Sequence, residues 1–420
     1  MKEKSLKSNI IWNSIGSFVY LFCQWLLTFL IVILSDNLVD AGNLFLAISI
    51  TNIFFNIACF NLRPYLVSDN TNDYSVEDYS SFRVYTILIS LLSCFIYILF
   101  FNYNFNQIMC IMLYMIFKIG EAIVDLYHGF EQRKNRMDIG GISLLIRGVL
   151  SVLLFVLGMK LFNNMNIAIL LMIIVTYAFI FTYDKLNVNK FVKIKINMKN
   201  KNALKLFLRF LPLAIGTILS SMSAAIPRQI LEKISGPNVL GIYATIATPA
   251  VIVQVAASYI YNPLIVTFAD YKKKKDYKGF TKALIKSLFV VLILSITCYI
   301  GSLYLSELGL RILYGTKISK YYELFSIIII YTSLTGFMFF GHNVLIILRK
   351  IKELLITYLL GFVTCLLVSK KLISEFGMNG VSYALITFTI VIIIAMLFII
   401  VQSIFEMKKE GAKKWKKKRK

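Results

Sequence analysis

Three ionisable residues, Lys118, Glu121 and Asp125, stand at i, i+3 and i+7 inside one long apolar run, a spacing that puts them on one face of a helix. Arg147 lies in the next apolar run, about as far from the same end as Glu121. Each such group costs at least about 2.5–3.5 kcal/mol to insert into hydrocarbon, so it turns inward and marks a path for ions or charged substrates. Two readings of the set stand side by side. A Glu121–Arg147 ion pair would be structural. A cationic site from Lys118 and Arg147, with Glu121 tuning it, would be functional. Arg228 closes a third apolar run on the side where basic residues are scarce, and it is either a further cation of that site or a snorkelling end residue. His342 lies within a later run, as a packing residue or a proton relay.

The elements that position these groups are long and hydrophobic. The 420 residues are 58% hydrophobic and only 16% charged, where soluble domains carry roughly 25% charged residues. Mean hydropathy is +0.75. About twelve runs reach the length that crosses a bilayer: Ile10–Leu34, Gly42–Leu62, Phe82–Phe101, Asn106–Tyr127, Ile139–Met159 and Ile167–Tyr183, then Leu204–Arg228, Gly241–Leu264, Ala283–Leu305, Leu324–Leu348, Leu354–Leu372 and Gly380–Phe405. The expected fold class is all-α, a polytopic membrane protein of two six-helix lobes. The first run is too long for a signal-peptide core and lacks a small-residue cleavage site, so it reads as an uncleaved helix.

Charge sets the expected orientation. With an even helix count both termini share a side, and the loops there hold roughly 33 Lys and Arg against roughly 8 on the other. Both termini are therefore expected in the cytoplasm. The net charge of +24 is confined to these loops and the tail, which argues against nucleic acid as a partner. The basic tail from Glu406 either fixes topology or holds acidic headgroups. All six cysteines sit in apolar runs and read as buried hydrophobes, with no metal or cofactor expected. Nucleophile elbows, zinc-binding His pairs and nucleotide loops are all missing from the sequence, so it reads as a non-enzyme.

The chain repeats itself. SDNLVDAGNLFLAISI from Ser35 matches SGPNVLGIYATIATPA from Ser235, and NLRPYLVSD from Asn61 matches NPLIVTFAD from Asn262. An offset near 200 residues with an even number of helices per half implies a parallel repeat. The expected organisation is a lobe over 1–184, a cytoplasmic linker over 185–203, a second lobe over 204–405 and a basic tail over 406–420. Pro212 and Gly216 weaken the seventh helix near its start, an expected hinge.

Four stretches carry a family resemblance. They are Lys7, Asn9, Trp12-Asn13, Gly16 and Gln24; Leu211-Pro212; Ile226-Pro227-Arg228 with Gly236 and Leu240-Gly241-Ile242-Tyr243; and Gly377-Met378-Asn379-Gly380-Val381-Ser382-Tyr383-Ala384. This pattern resembles the Wzx-type polysaccharide flippases of the MOP superfamily, which also holds MATE-type multidrug exporters and the lipid II flippase. The resemblance implies an inner-membrane flippase that moves undecaprenyl-diphosphate-linked oligosaccharides for O-antigen or capsule by alternating access. It implies Lys118, Arg147 and Arg228 as cations for the diphosphate. Glu121, Asp125 and His342 would couple transport to an ion gradient. Lipid-linked oligosaccharide, membrane lipids and a polysaccharide polymerase are the implied partners. The rival readings are a MATE-like exporter, which favours an acidic cavity, and a membrane polymerase, which needs a sizeable external loop; a passive scramblase is a third.

Overall fold

In the computed structural model, which describes residues 6–35, 38–68, 74–261 and 264–418, the chain is helical and no strand occurs among the described residues. Two compact units divide it, Met1–Ser221 and Met222–Lys420. Ten helices are long and apolar enough to cross a membrane, and a bent pair, Asn202–Leu211 with Ala214–Ser235, adds an eleventh. The longest of the ten is broken by Gly377, whose φ of 56° and ψ of −127° no helix contains. Separating its two arms brings the count to the twelve expected. The protein is a multi-pass, all-α membrane protein.

The first unit contains α1 (Leu6–Leu34), α2 (Leu38–Cys59), α3 (Leu62–Ser68), α4 (Val76–Leu99), α5 (Phe105–Arg133), α6 (Met137–Phe162) and α7 (Met165–Phe179). A π-helical turn (Ile180–Asp184) then leads into α8 (Lys185–Asn189), and the start of α9 (Lys201–Ser235) completes the unit. Capping chemistry explains why α4 starts six residues before the apolar run. Ser75 Oγ accepts from Asp78 N at 3.1 Å while Asp78 Oδ2 accepts from Ser75 N at 2.7 Å, a reciprocal box that satisfies two orphan donors. The extension carries Arg83 into the helix rather than leaving it at an end. Asn104 and Gln107 cap α5 in the same way.

Within this unit α2 packs on α4 and α5, α3 packs on α5, and α6 packs on α1 and α7. Hydroxyls join the helices: Thr86 and Ser90 of α4 donate to the Ala58 and Phe54 carbonyls of α2, at 2.8 and 2.6 Å. The tightest approach is between α1 and α6. A Cβ placed on Gly16 would lie 1.9 Å from the Gly141 carbonyl oxygen, and one on Gly141 would lie 2.2 Å from that of Trp12. Two glycines thus let backbone touch backbone, which strengthens dispersion contact where hydrocarbon supplies no hydrophobic drive. Residues 185–203 are docked rather than loose. Val188 is fully buried, Asn197 N donates to Ser81 Oγ at 2.9 Å, and Asn200 Nδ2 donates to Asp78 Oδ1 at 2.8 Å.

The second unit holds the rest of α9, α10 (Pro237–Tyr261), α11 (Ile265–Lys274), α12 (Tyr277–Tyr314), α13 (Thr316–Ser319), α14 (Glu323–Leu348) and the broken α15 (Ile351–Lys418). Its pairings α10–α12, α10–α14 and α11–α14 repeat α2–α4, α2–α5 and α3–α5. The repeat expected from sequence therefore reappears as one packing order used twice. In both units the outward faces are apolar, with Phe18, Leu92, Ile252, Phe289, Leu367 and Phe398 all exposed, as lipid requires.

The bent pair places a 55° change of direction between Leu211 and Ala214. Pro212 itself, and the basic tail from Lys409, lie outside the residues whose side chains are described.

Candidate functional site

One face of α5 carries Lys118, Glu121, Asp125 and His128, and the helices packed around it answer these groups with arginines. Glu121 pairs with Nη1 of Arg147 on α6. The Arg147 side chain is 1% exposed. Its Nε donates to Ser143 Oγ at 3.2 Å, and Asp184 Oδ2 lies 3.9 Å from it. Its guanidinium also stands 5.6 Å from the centre of the Tyr20 ring on α1. Nη2 finds no hydrogen-bond partner among the described residues. Two carboxylates, a hydroxyl and an aromatic face therefore surround one guanidinium, a polar joint of α1, α5, α6 and the π-helical turn.

One turn further along α5, Asp125 accepts from Arg83 Nη2 at 2.9 Å and lies 3.6 Å from Arg63 Nη1. Arg83 is 2% exposed and spends its other terminal nitrogen on the Ala58 carbonyl at 2.5 Å. Arg63 also donates to Gln132 Oε1 at 3.1 Å. Both acids that the sequence set apart on α5 are thus answered by arginine.

Lys118 differs. Its Nζ lies 5.2 Å from the centre of the Phe55 ring and 5.6 Å from that of Tyr114. No carboxylate among the described residues comes within ion-pairing distance of it. The residue is half-buried, its ammonium set against aromatic faces, which hold a cation without neutralising it. Of the cations on and around this face, Lys118 is the one with no carboxylate partner among the described residues.

Arg228 and His342 belong to the second unit. Arg228 Nε is buried without a partner among the described residues, in electrostatic reach of Tyr243 on α10 and Tyr331 on α14. Tyr243 in turn shares a 3.0 Å hydrogen bond with Ser382. His342 Nδ1 shares a 2.8 Å hydrogen bond with the Tyr358 hydroxyl, which ties α14 to α15. Gly216 is buried within α9, beyond the bend. Within the first unit the structure so brings together Lys118, Glu121, Asp125 and Arg147, while Arg228 and His342 belong to the second.

Sequence reading passed over Arg83, Arg63, Asp184 and Tyr20, which complete these pairs. Arg83 and Asp184 were hidden by helix ends drawn at the edges of the apolar runs. The signal that finds Arg83 is the S-x-x-D box at Ser75–Asp78, which starts the helix early. For Asp184 it is continued helix beyond Tyr183, through the π-turn that turns this residue inward. His128 and Glu131, on the next turns of α5, are also buried and hold polar atoms without partners among the described residues. Within those residues no His, Cys, Asp and Glu cluster could hold a metal ion.

The fold is that of the MOP-superfamily transporters. It superposes on the lipid II flippase MurJ in an inward closed conformation with a TM-score of 0.71, at 13% identity over 93% of this chain and 89% of that one. A MATE-family multidrug resistance transporter in an inward-facing conformation gives 0.69, at 12% identity over 97% and 99%. A MOP transporter from Pyrococcus furiosus, described as having a binding pocket of reverse polarity, gives 0.58 at 13% identity over 97% of each chain. In sequence the chain is 27% identical over 317 residues to the capsular polysaccharide biosynthesis protein CapF of Staphylococcus aureus, covering 74% of this chain and 77% of that one. No family profile matches the chain.

Proposed function

We propose that this protein is a flippase that carries an undecaprenyl-diphosphate-linked oligosaccharide repeat unit from the cytoplasmic to the external leaflet, for assembly of a capsule or related surface polysaccharide. The observation that carries the reading is the similarity along three quarters of the chain to a protein of capsular polysaccharide biosynthesis. The MOP fold supports it with a physical route, alternating access through helices. A diphosphate cannot cross hydrocarbon bare, so its carrier needs fixed positive charge that is not already cancelled. Lys118, held by aromatic rings, and Arg228, whose Nε is buried without a partner among the described residues, are the cations that meet this requirement. Arg147 acts through the fold, holding the α5 face in place. Glu121, Asp125 and His342 remain the groups offered for coupling to an ion gradient. The charge balance argues against a MATE-like exporter of cations, since Glu121 and Asp125 are both matched by arginine. The membrane is the cytoplasmic membrane with both termini inside, as the loop lysines require, and a polymerase outside would receive the unit.

The test is to delete the gene and locate the lipid-linked intermediate by leaflet. Accumulation in the cytoplasmic leaflet is expected, whereas unpolymerised units outside would point to a polymerase. Complementation with Lys118→Gln/Arg228→Gln should then fall at least tenfold in surface polysaccharide, with the protein folded and inserted. Wild-type polysaccharide from that variant would remove the cationic-site assignment.

The bend between Leu211 and Ala214 is the hinge of this cycle. Replacing Pro212 and Gly216 by alanine should straighten α9 and slow transport severalfold without reducing inserted protein, checked by the rate of polymer appearance after induction. Full-rate transport in the double variant would return α9 to the part of a strut.

A further inference from the structure

The lipid-facing side of the second unit carries two adjoining cavities. The first, about 400 Å³, is a groove between α12, α14 and the second arm of α15, with apolar walls that include Leu288, Leu292, Phe337 and Ile393. The second, about 690 Å³, opens along the first turns of α12. Ile285 and Phe289 line both, so one side chain pair is the wall they share. The second cavity is lined by Lys278, Lys282 and Lys286, at i, i+4 and i+8 on α12. These three ammonium groups are exposed, and none has an ion pair among the described residues. By contrast, Lys272, on the neighbouring helix, is occupied by the Ile347 carbonyl at 2.6 Å.

An apolar groove that runs into a row of cations has the form of an amphiphile's site. The lysines rise in steps of about 6 Å along the helix. Helix α12 is 38 residues long, or about 57 Å, nearly twice the hydrocarbon thickness of about 30 Å. Its first turns therefore stand at headgroup level while Phe289 and Leu292 lie among acyl chains. A plain lipid-facing helix end needs no three cations on one line, and lysine meets phosphate as a mobile point charge.

We propose that this groove binds an anionic phospholipid of the surrounding leaflet, its acyl chain between α12, α14 and α15 and its phosphate against Lys278, Lys282 and Lys286. Charge complementarity selects the occupant: zwitterionic lipids offer no net charge to the row, and basic pockets between membrane helices hold acidic headgroups. Neither Arg228 nor His342 lines the site, and it does not depend on what the protein transports.

The test uses the full-length protein purified in detergent, with retained lipid counted by native mass spectrometry after exposure to phosphatidylglycerol, cardiolipin or phosphatidylcholine. Wild type should retain either acidic lipid about a hundredfold over phosphatidylcholine, several-fold for each of the three lysines. Lys278→Gln/Lys282→Gln/Lys286→Gln should lose about a hundredfold of that preference, from several-fold per lysine at a membrane surface. A control, Lys273→Gln/Lys274→Gln/Lys408→Gln, removes as much exposed charge away from the groove and should keep the preference. The proposal is overturned if wild type retains all three lipids equally, or if both triple variants behave alike. It is also overturned if the only lipid that stays bound is polyprenyl-linked.

Discussion

Arg147→Ala should destabilise the first unit by about 3–5 kcal/mol, the range for removing one partner of a buried ion pair. The protein should then purify from membranes in low yield with an early thermal transition. The reason is what stays behind. Glu121 loses its guanidinium, Asp184 is fully buried with its nearest cation gone, and Ser143 loses a donor. Lys118, a turn from Glu121, is the group left to answer it, and doing so would take it off its aromatic rings. Adding Glu121→Gln and Asp184→Asn to Arg147→Met should recover much of the transition, because a site with no charges leaves none unpaired. The cycle of single and multiple variants measures the coupling, expected at about 1–3 kcal/mol between Glu121 and Arg147. A melting temperature for Arg147→Ala within a degree of wild type would show that the pair contributes nothing to folding. In that case loss of transport in charge-reversed Arg147 would report on substrate rather than on structure.

Gly141→Leu should be as damaging, by a different route. No rotamer of leucine removes the Cβ, and that atom would sit 2.2 Å from the Trp12 carbonyl oxygen, inside any van der Waals limit. Backbone cannot yield as a flexible side chain does, so α1 would have to leave α6 along their whole shared length. Overpacking in well-ordered cores costs about 1–3 kcal/mol, and separation of two helices adds their lost contact, so about 3 kcal/mol or more is expected. The check is a proteolysis or thermal-melt comparison with Gly301→Leu. A Cβ there meets nothing within 4 Å, so that variant should be near neutral. Equal stability of the two variants would mean that the α1–α6 approach is looser than described.

Much of the fold was legible because a bilayer enforces helix length and hides backbone polarity, so apolar runs carry the architecture. The repeat was legible through two turn signals, at Ser35 and Ser235, whose helices then pack in the same order. The candidate site was legible in half. Lys118, Glu121 and Asp125 share a face by simple helical spacing, and Glu121–Arg147 follows from matching depth. Arg83 and Asp184 did not follow, because hydropathy draws helix ends where apolarity stops, whereas a Ser–Asp capping box and a π-turn set the real ends beyond it. The partners of Asp125 depend on α3 and α4 crossing α5, a tertiary fact with no trace in local sequence. Lys118 was grouped with Arg147 as an equal cation. The difference between them, aromatic rings around one and carboxylates around the other, comes from Phe55 and Asp184, residues 63 and 37 positions away along the chain.

The α5–α6 pair also bears on how the protein is made. Glu121 is synthesised 26 residues before Arg147, an interval of about 1–5 s at ordinary translation rates. When Arg147 leaves the insertion machinery its acceptor is already in the bilayer, so this ion never enters hydrocarbon alone. Glu121 is the group that waits, with Lys118 one turn away as its temporary counter-charge. Asp184 arrives last and closes around an arginine already in place. The order of charges along the sequence, acid then base then acid, is therefore also an order of assembly.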